Sequence, residues 1–261
     1  MAINWRERFI AAAIHFLITL ALAGVAAALV FLVWFPGALA EMVGGTKLFT
    51  IIVGVDVALG PLISLVIYSS QKSRRELVTD YTVVGIVQIA ALVYGVFTLA
   101  VSRPVFVTFV GDRLEVVAAL ELDEADLAAA PLPQFRTRSW TGPRLAAIEM
   151  PTDARERNEV VMLGMAGKDV QMLPRYYRPY ESALADIQRR AGGLDALLQA
   201  NPEQRERIEA AIDDTGVPRE NLRWLVVHHR FGFATALIDA RTQRPVEYLA
   251  VDPTGAKARA R

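Results

Sequence analysis

Residues 9–35 read FIAAAIHFLITLALAGVAAALVFLVWF, a run without a single Asp, Glu, Lys or Arg. About 20 consecutive apolar residues let a helix cross bilayer hydrocarbon, so this run makes the chain a membrane protein. Trp5 before it and Trp34-Phe35 at its end suit the two interfaces, and Pro36-Gly37 stops it. Two more runs of spanning length come after it, at residues 48–68 and 81–101. The Ala38-Leu39-Ala40 triplet imitates a signal-peptidase site, but the apolar stretch ahead of it is far longer than a signal sequence needs. The first run is therefore expected to stay as an uncleaved anchor, and cleavage would leave the topology of the later spans unchanged.

The composition divides along the same line. The chain of 261 residues is 53% apolar and 21% charged with zero net charge, and its mean hydropathy is +0.30. Yet the first hundred residues hold only six of the 28 Lys+Arg and five of the 28 Asp+Glu. A three-helix transmembrane domain is expected over residues 1–103 and an α+β domain over 104–261. The charge balance disfavours a nucleic-acid partner. With no Cys, disulfides, thiolate metal sites and Cys nucleophiles are excluded.

Short loops rich in Lys and Arg resist translocation. Arg6 and Arg8 precede the first span, and Lys72, Arg74 and Arg75 lie between the second and third, whereas Lys47 is alone between the first and second. The N-terminus is therefore expected in the cytoplasm of a bacterial inner membrane, with the C-terminal domain in the periplasm.

Asp56 is the sharpest feature inside the spans, because an ionisable group in hydrocarbon is costly and marks a functional site by default. It lies about 12 Å into the second span at 1.5 Å per residue. Gly60 and Ser64 share its face, with Pro61 beside them. In the third span Tyr81, Gln88 and Gly95 are spaced by seven, again one face. Tyr94 or Gln88 could bond Asp56, and His15 could pack or bond Asp80. Small residues at Gly24/Ala28, Gly54/Ala58 and Ala91/Gly95 allow close helix approach, to a partner span or to a second copy in a homo-oligomer.

In the C-terminal part, VFVTFV at 105–110, a turn at 111–113 and a return over 114–120 read as a hairpin. Strands are expected at 224–230, 231–239 and 246–251, and helices at about 181–190 and 202–214, which together give an α+β fold with an antiparallel sheet. His228 and His229 are neighbours in a strand and should point to opposite faces. No HExxH, GxSxG, P-loop or GxGxxG pattern occurs, so no catalytic residue, cofactor or metal is assigned. The segment Leu173-Pro174-Arg175-Tyr176-Tyr177-Arg178-Pro179-Tyr180 is read as an extended loop. Tyr and Arg dominate binding hot spots, which makes Tyr176, Tyr177 and Tyr180 candidate partner contacts.

Gly54-Val55-Asp56 with Leu59-Gly60-Pro61-Leu62, then Arg75-Glu76-Leu77, Asp80, Gln88, Ala91-Leu92 and Tyr94-Gly95, form an ordered series. With Arg103-Pro104-Val105, Phe109, Asp112-Arg113, Val116-Val117, Trp140-Thr141-Gly142-Pro143 and the Pro174 to Tyr180 segment, the series resembles the type IV pilin accessory proteins of the TfpX/TfpZ group. The likeness runs from Gly54 to about Tyr180, with the first span similar only in character. It implies a non-enzymatic inner-membrane chaperone or accessory factor acting on type IV pilin, a single apolar helix with a globular head. On that reading Asp56, Gly60, Gln88 and Gly95 line a groove for the pilin helix, Tyr176, Tyr177 and Tyr180 touch its head, and membrane lipid is the remaining partner. The alternatives are a membrane-anchored periplasmic sensor or ligand-binding protein, against which the cytoplasmic segments offer no output domain, and an intramembrane aspartyl protease, which needs two facing carboxyls while Asp80 lies near the opposite interface from Asp56.

Overall fold

The computed structural model describes residues 5–69 and 71–255. They form two compact units, one of residues 5–32 and 45–101, the other of residues 33–44 and 102–255. Three helices are long and apolar enough to cross a membrane: Trp5–Trp34, Gly45–Ile67 and Arg74–Ser102. The chain is thus membrane-anchored. Helix α1 (Trp5–Ala28) runs on into a π-helical stretch, Leu29–Trp34. A short α2 (Leu39–Met42) precedes α3 (Gly45–Ile67) and α4 (Arg74–Ser102). Helix α4 begins well before its apolar run because Ser73 and Glu76 form a reciprocal cap. The Glu76 carboxylate accepts from the Ser73 N–H at 2.7 Å, and the Ser73 hydroxyl accepts from the Glu76 N–H at 3.3 Å.

The second unit is built on β1 (Pro104–Val110), β2 (Arg113–Ala118), β3 (Arg144–Ile148), β4 (Tyr177–Pro179), β5 (Leu222–His229), β6 (Gly232–Asp239) and β7 (Pro245–Leu249). They form one sheet in the order β4-β3-β1-β2-β5-β6-β7. The hairpin β1-β2 turns at Gly111, whose φ is +62°, and β5-β6-β7 is an antiparallel meander. The sheet is mixed rather than purely antiparallel, because β1 pairs β3 and β2 pairs β5 in parallel. A parallel pair needs a long crossover. Residues 119–143, with α5 (Glu124–Ala128), supply one. The stretch from β3 to β5 supplies the other, with α6 (Ala154–Met165), α7 (Leu184–Arg190), α8 (Leu194–Ala200) and α9 (Arg205–Asp214). The helices expected at 181–190 and 202–214 both open with a 3-10 turn, Tyr180–Ala183 and Pro202–Gln204.

Helices on both faces leave the central strands buried on both sides. Val107, Phe109, Leu114, Val116, Leu225, Val227, Ala234 and Ile238 point to one face, where Tyr180, Ile187, Leu39 and Met42 cover them. The opposite face is covered by Leu127 and Phe135 at one end and by Leu197 and Ile208 at the other. The Ala38-Leu39-Ala40 triplet is therefore no exposed loop. Its leucine is 1% exposed and sits in the core of the sheet unit, and Gly44 takes φ +75° with the Phe231 ring close to where a side chain would start.

This packing can be tested at two residues. Truncating Leu39 to Ala should cost about 2–4 kcal/mol of unfolding free energy, as for a core leucine, whereas a loop position would change it by less than about 0.5 kcal/mol; denaturant unfolding of the full chain in detergent measures it. His229 is 8% exposed, and burial, then the charge of His228, push its pKa down to about 4. The unfolded chain takes up that proton near pH 6.5 while the folded chain resists until about 4, so stability should fall on acidification through this window, by up to about 3 kcal/mol. His229→Gln should flatten the dependence.

Candidate functional site

Helices α1 and α3 pack antiparallel. The Arg8 guanidinium donates to the Leu65 carbonyl at 2.9 Å, His15 meets Ser64, and the Phe31 and Phe49 rings lie edge to face at 4.9 Å. A polar network joins all three spans at one level. His15 Nδ1 is 2.6 Å from Ser64 Oγ and His15 Nε2 is 2.8 Å from Gln88 Oε1. The amide oxygen can only accept, so Nε2–H donates to it. Gly60 makes room for this. A Cβ there would lie 2.6 Å from Gln88 Nε2 and 3.0 Å from His15 Nε2.

Beside the network a cavity of about 420 Å³ opens between the three helices. Its wall is mostly aliphatic, with Ile14, Ile18 and Leu22 from α1, Val53 from α3 and Leu92 from α4. Asp56, His15, Tyr81 and Gln88 also line it. Gln88 Nε2 and the Tyr81 hydroxyl are buried without a hydrogen-bond partner among the described residues. No described residue bonds or pairs with the Asp56 carboxyl either.

Of the four span residues singled out in the sequence, the structure brings Asp56 and Gln88 to the cavity and sets Gly60 beneath the amide. Gly95 does something else, since a Cβ there would be 2.5 Å from Ile52 Cγ2. It is a point of close approach between α3 and α4, and it lies outside the cavity lining. The Asp56 bond to Gln88 or Tyr94 does not form, and Tyr94 is 73% exposed on α4. Nor does His15 reach Asp80, whose carboxylate is paired with Lys72 at 2.6 Å. Among the described residues Asp56 supplies the one carboxyl that lines the cavity, whereas an aspartyl-protease site requires two.

The tyrosine segment differs from its reading as a loop. Pro174–Tyr176 is a 3-10 turn, and Tyr177–Pro179 is β4, paired to β3 through Ile148↔Tyr177 and Ala146↔Pro179; a proline suits such an edge strand. Tyr177 packs against Phe106 and Phe135 with centroids 5.2 and 5.6 Å away, and its hydroxyl donates to the Gln171 carbonyl at 2.5 Å. Tyr180 enters the other face and donates to the Gln243 carbonyl at 2.8 Å. Tyr176 donates to Glu156 at 3.0 Å. All three rings are at most 5% exposed, and burial holds the Tyr177 and Tyr180 hydroxyls well above the usual tyrosine range. Rings that fill the core cannot serve as the partner contacts expected of them. The surface of this segment is instead Arg175, paired with Glu159, and Arg178, paired with Glu149.

The adjacent histidines do diverge. His228 Nδ1 lies 2.7 Å from the buried Glu115 carboxylate, which also accepts from Arg113 Nε at 2.6 Å, while His229 enters the opposite face. Among the described residues no group of three His, Asp or Glu side chains could hold a metal ion. The Arg103 and Trp140 motifs also acquire a physical role. The Arg103 guanidinium stacks 3.7 Å from the centre of the Trp140 ring, and its Nε donates to the Ser139 carbonyl at 2.9 Å. Trp34 lies 6.1 Å from the same ring, and Gly142, at φ +84°, packs against Pro36.

The model of the family described as fimbrial assembly protein FimB matches residues 3–44. That segment includes the first span, which resembles the accessory proteins only in character, and α2. The chain is 31% identical over 238 residues to a fimbrial assembly protein of serogroup I from Dichelobacter nodosus, covering 85% of this chain and 92% of the relative. It is 30% identical over 225 residues to the serogroup E1 protein of the same organism, covering 84% and 87%. A shorter match, 35% over 133 residues, covers 49% of this chain and 98% of the protein from serogroups C1 and C2. No solved structure matches.

The helix contact at Gly95 makes its own prediction. Gly95→Ala should lower the melting temperature in detergent, with a cost of about 1–3 kcal/mol from overpacking. Adding Ile52→Ala should recover much of the loss, and additive losses would mean the two residues do not touch.

Proposed function

The chain belongs to the fimbrial assembly protein family, and from that premise we propose that it is an inner-membrane accessory protein of the TfpX/TfpZ type that binds the type IV pilin subunit and acts as its chaperone during pilus assembly. The observation that carries this reading is the cavity between the spans. A bundle that needed only to anchor the second unit would close on itself, whereas this one keeps a largely aliphatic groove with the side chains of Asp56, His15, Tyr81 and Gln88 along it. In hydrocarbon, helix association is driven by packing and interhelical hydrogen bonds, and a single apolar pilin helix supplies both. The Lys/Arg distribution supports an orientation with the N-terminus in the cytoplasm and the C-terminal unit in the periplasm, on the side of the pilin head. The fimbrial assembly names of the relatives support an assembly role rather than a catalytic one.

Holding the apolar pilin helix in the groove shields it until the assembly machinery takes it. Asp56 contributes polarity at one level of the groove and Gln88 at another. Gly85 lines the cavity, and a Cβ there would meet nothing within 4 Å, so a larger side chain at this position fills the groove without disturbing the fold.

Detergent extraction of the tagged chain from its native membrane, followed by mass spectrometry of the copurifying polypeptides, tests the reading. Near-stoichiometric major pilin is expected with the natural sequence, and several-fold less with Gly85→Leu at unchanged protein level and melting temperature. Asp56→Asn should weaken recovery if the charge contributes and leave it intact if packing alone does. Absence of pilin from the natural complex would contradict the proposal.

A further inference from the structure

Two exposed aromatic rings of the sheet unit stand where the chain leaves and re-enters the membrane. Three residues of that unit adjoin the spans by chain continuity: Trp34 ends the first, Gly44 immediately precedes the second and Arg103 immediately follows the third. Successive crossings alternate in direction, so these three boundaries belong to one face of the bilayer. Neighbouring Cα atoms are only about 3.8 Å apart, which puts all three residues at interfacial depth. Rings from two distant parts of the sequence pack on them. Trp140 lies 6.1 Å from the Trp34 ring and carries the Arg103 guanidinium 3.7 Å from its centre. Phe231, in the turn between β5 and β6, lies against Gly44, where a Cβ would be 3.0 Å from its Cε2, and the Arg230 guanidinium is 5.1 Å from its ring centre. Each ring is thus held on one side, yet Trp140 is still 60% and Phe231 63% exposed.

Exposed aromatic surface is costly in water and favoured among lipid headgroups, where an amphipathic ring keeps its apolar body toward hydrocarbon and its polar edge wet. We propose that Trp140 and Phe231 are a lipid footing of the sheet unit, two rings inserted into the headgroup region of the leaflet through which the spans emerge. Lipid is the occupant because of position: a ring packed on the last residue of a span, or on the residue just before one, meets the leaflet before it meets any partner from solution. The cations stacked on the rings suit the same place, since phospholipid headgroups present phosphate. The stacked Arg103 and the neighbouring contact of Gly142 with Pro36 fix the Trp140 ring in advance, so its insertion orders little further. The footing is separate from the groove and does not depend on what the groove holds.

The test uses the full chain, without pilin, in vesicles of phosphatidylcholine and phosphatidylglycerol, made with and without phosphatidylcholine brominated near the headgroup end of its acyl chains. Bromine quenches indole emission on contact. The chain has four tryptophans, Trp5, Trp34, Trp140 and Trp224, so the emission lost in Trp140→Phe, a variant that keeps an aromatic ring, isolates Trp140. Phe231→Trp in the Trp140→Phe background reports the second ring by the emission it gains, and an unchanged melting temperature shows that both variants fold. Brominated lipid should lower each difference emission on the order of two-fold, and aqueous acrylamide should quench it weakly. Strong quenching by acrylamide with none by brominated lipid would mean that the rings face water and would overturn the proposal. Quenching by neither would mean that protein covers them, a second copy of the chain included, and would overturn it as well.

Discussion

Hydrocarbon gives a polar side chain nothing to bond with, and the arrangement of the three spans is a consequence of that constraint. One histidine placed in α1 must find a hydrogen-bond partner for each ring nitrogen, and it finds them on the other two spans, at Ser64 and Gln88. Gly60 lets the three side chains meet, because any side chain there would occupy the position of the amide. A second approach point, Gly95 against Ile52, holds α4 to α3 two turns further along. Beside these contacts the helices leave open the cavity that Asp56 lines.

The second unit solves a different problem. Without cysteine it rests on a sheet buried on both faces, and part of its cover comes from the segment between the first two spans. Leu39 and Met42 lie in the same cluster as the central strands, so residues 33–44 are a structural part of that unit. The family match over residues 3–44 spans this insertion as well as the first helix, so the segment that carries the family signal has a packing role at both ends.

Much of this was legible in the residues. The spans, the β1-β2 hairpin, the β5-β6-β7 meander and the divergence of His228 from His229 all arise from local periodicity, which is set within a few residues. Asp56 and Gln88 stood out because a polar group in an apolar run is conspicuous, and both line the cavity. The partners of those groups were not, since which faces meet depends on how helices distant in sequence rotate. His15 thus does not reach Asp80, the neighbour considered for it, and meets Ser64 and Gln88 instead. Tyr176, Tyr177 and Tyr180 show the same limit in the sheet unit. Their composition fits an exposed binding loop and a buried edge strand equally well, and only the pairing of β4 with β3, 29 residues apart at Ile148↔Tyr177, decides for the core. The parallel pairings that make the sheet mixed are likewise long-range and leave no local mark.

Whether the cavity between the spans holds a pilin helix decides the functional reading. The chain has no cysteine, so Leu92→Cys introduces a unique thiol into the cavity wall, and disulfide formation can be read against a series of single cysteines placed along the apolar segment of the pilin in native membranes. A pilin helix held in the groove predicts strong crosslinks that recur every three to four pilin positions, the signature of one helix face lying against the wall. Crosslinking that is absent, or equal at every position, would contradict it.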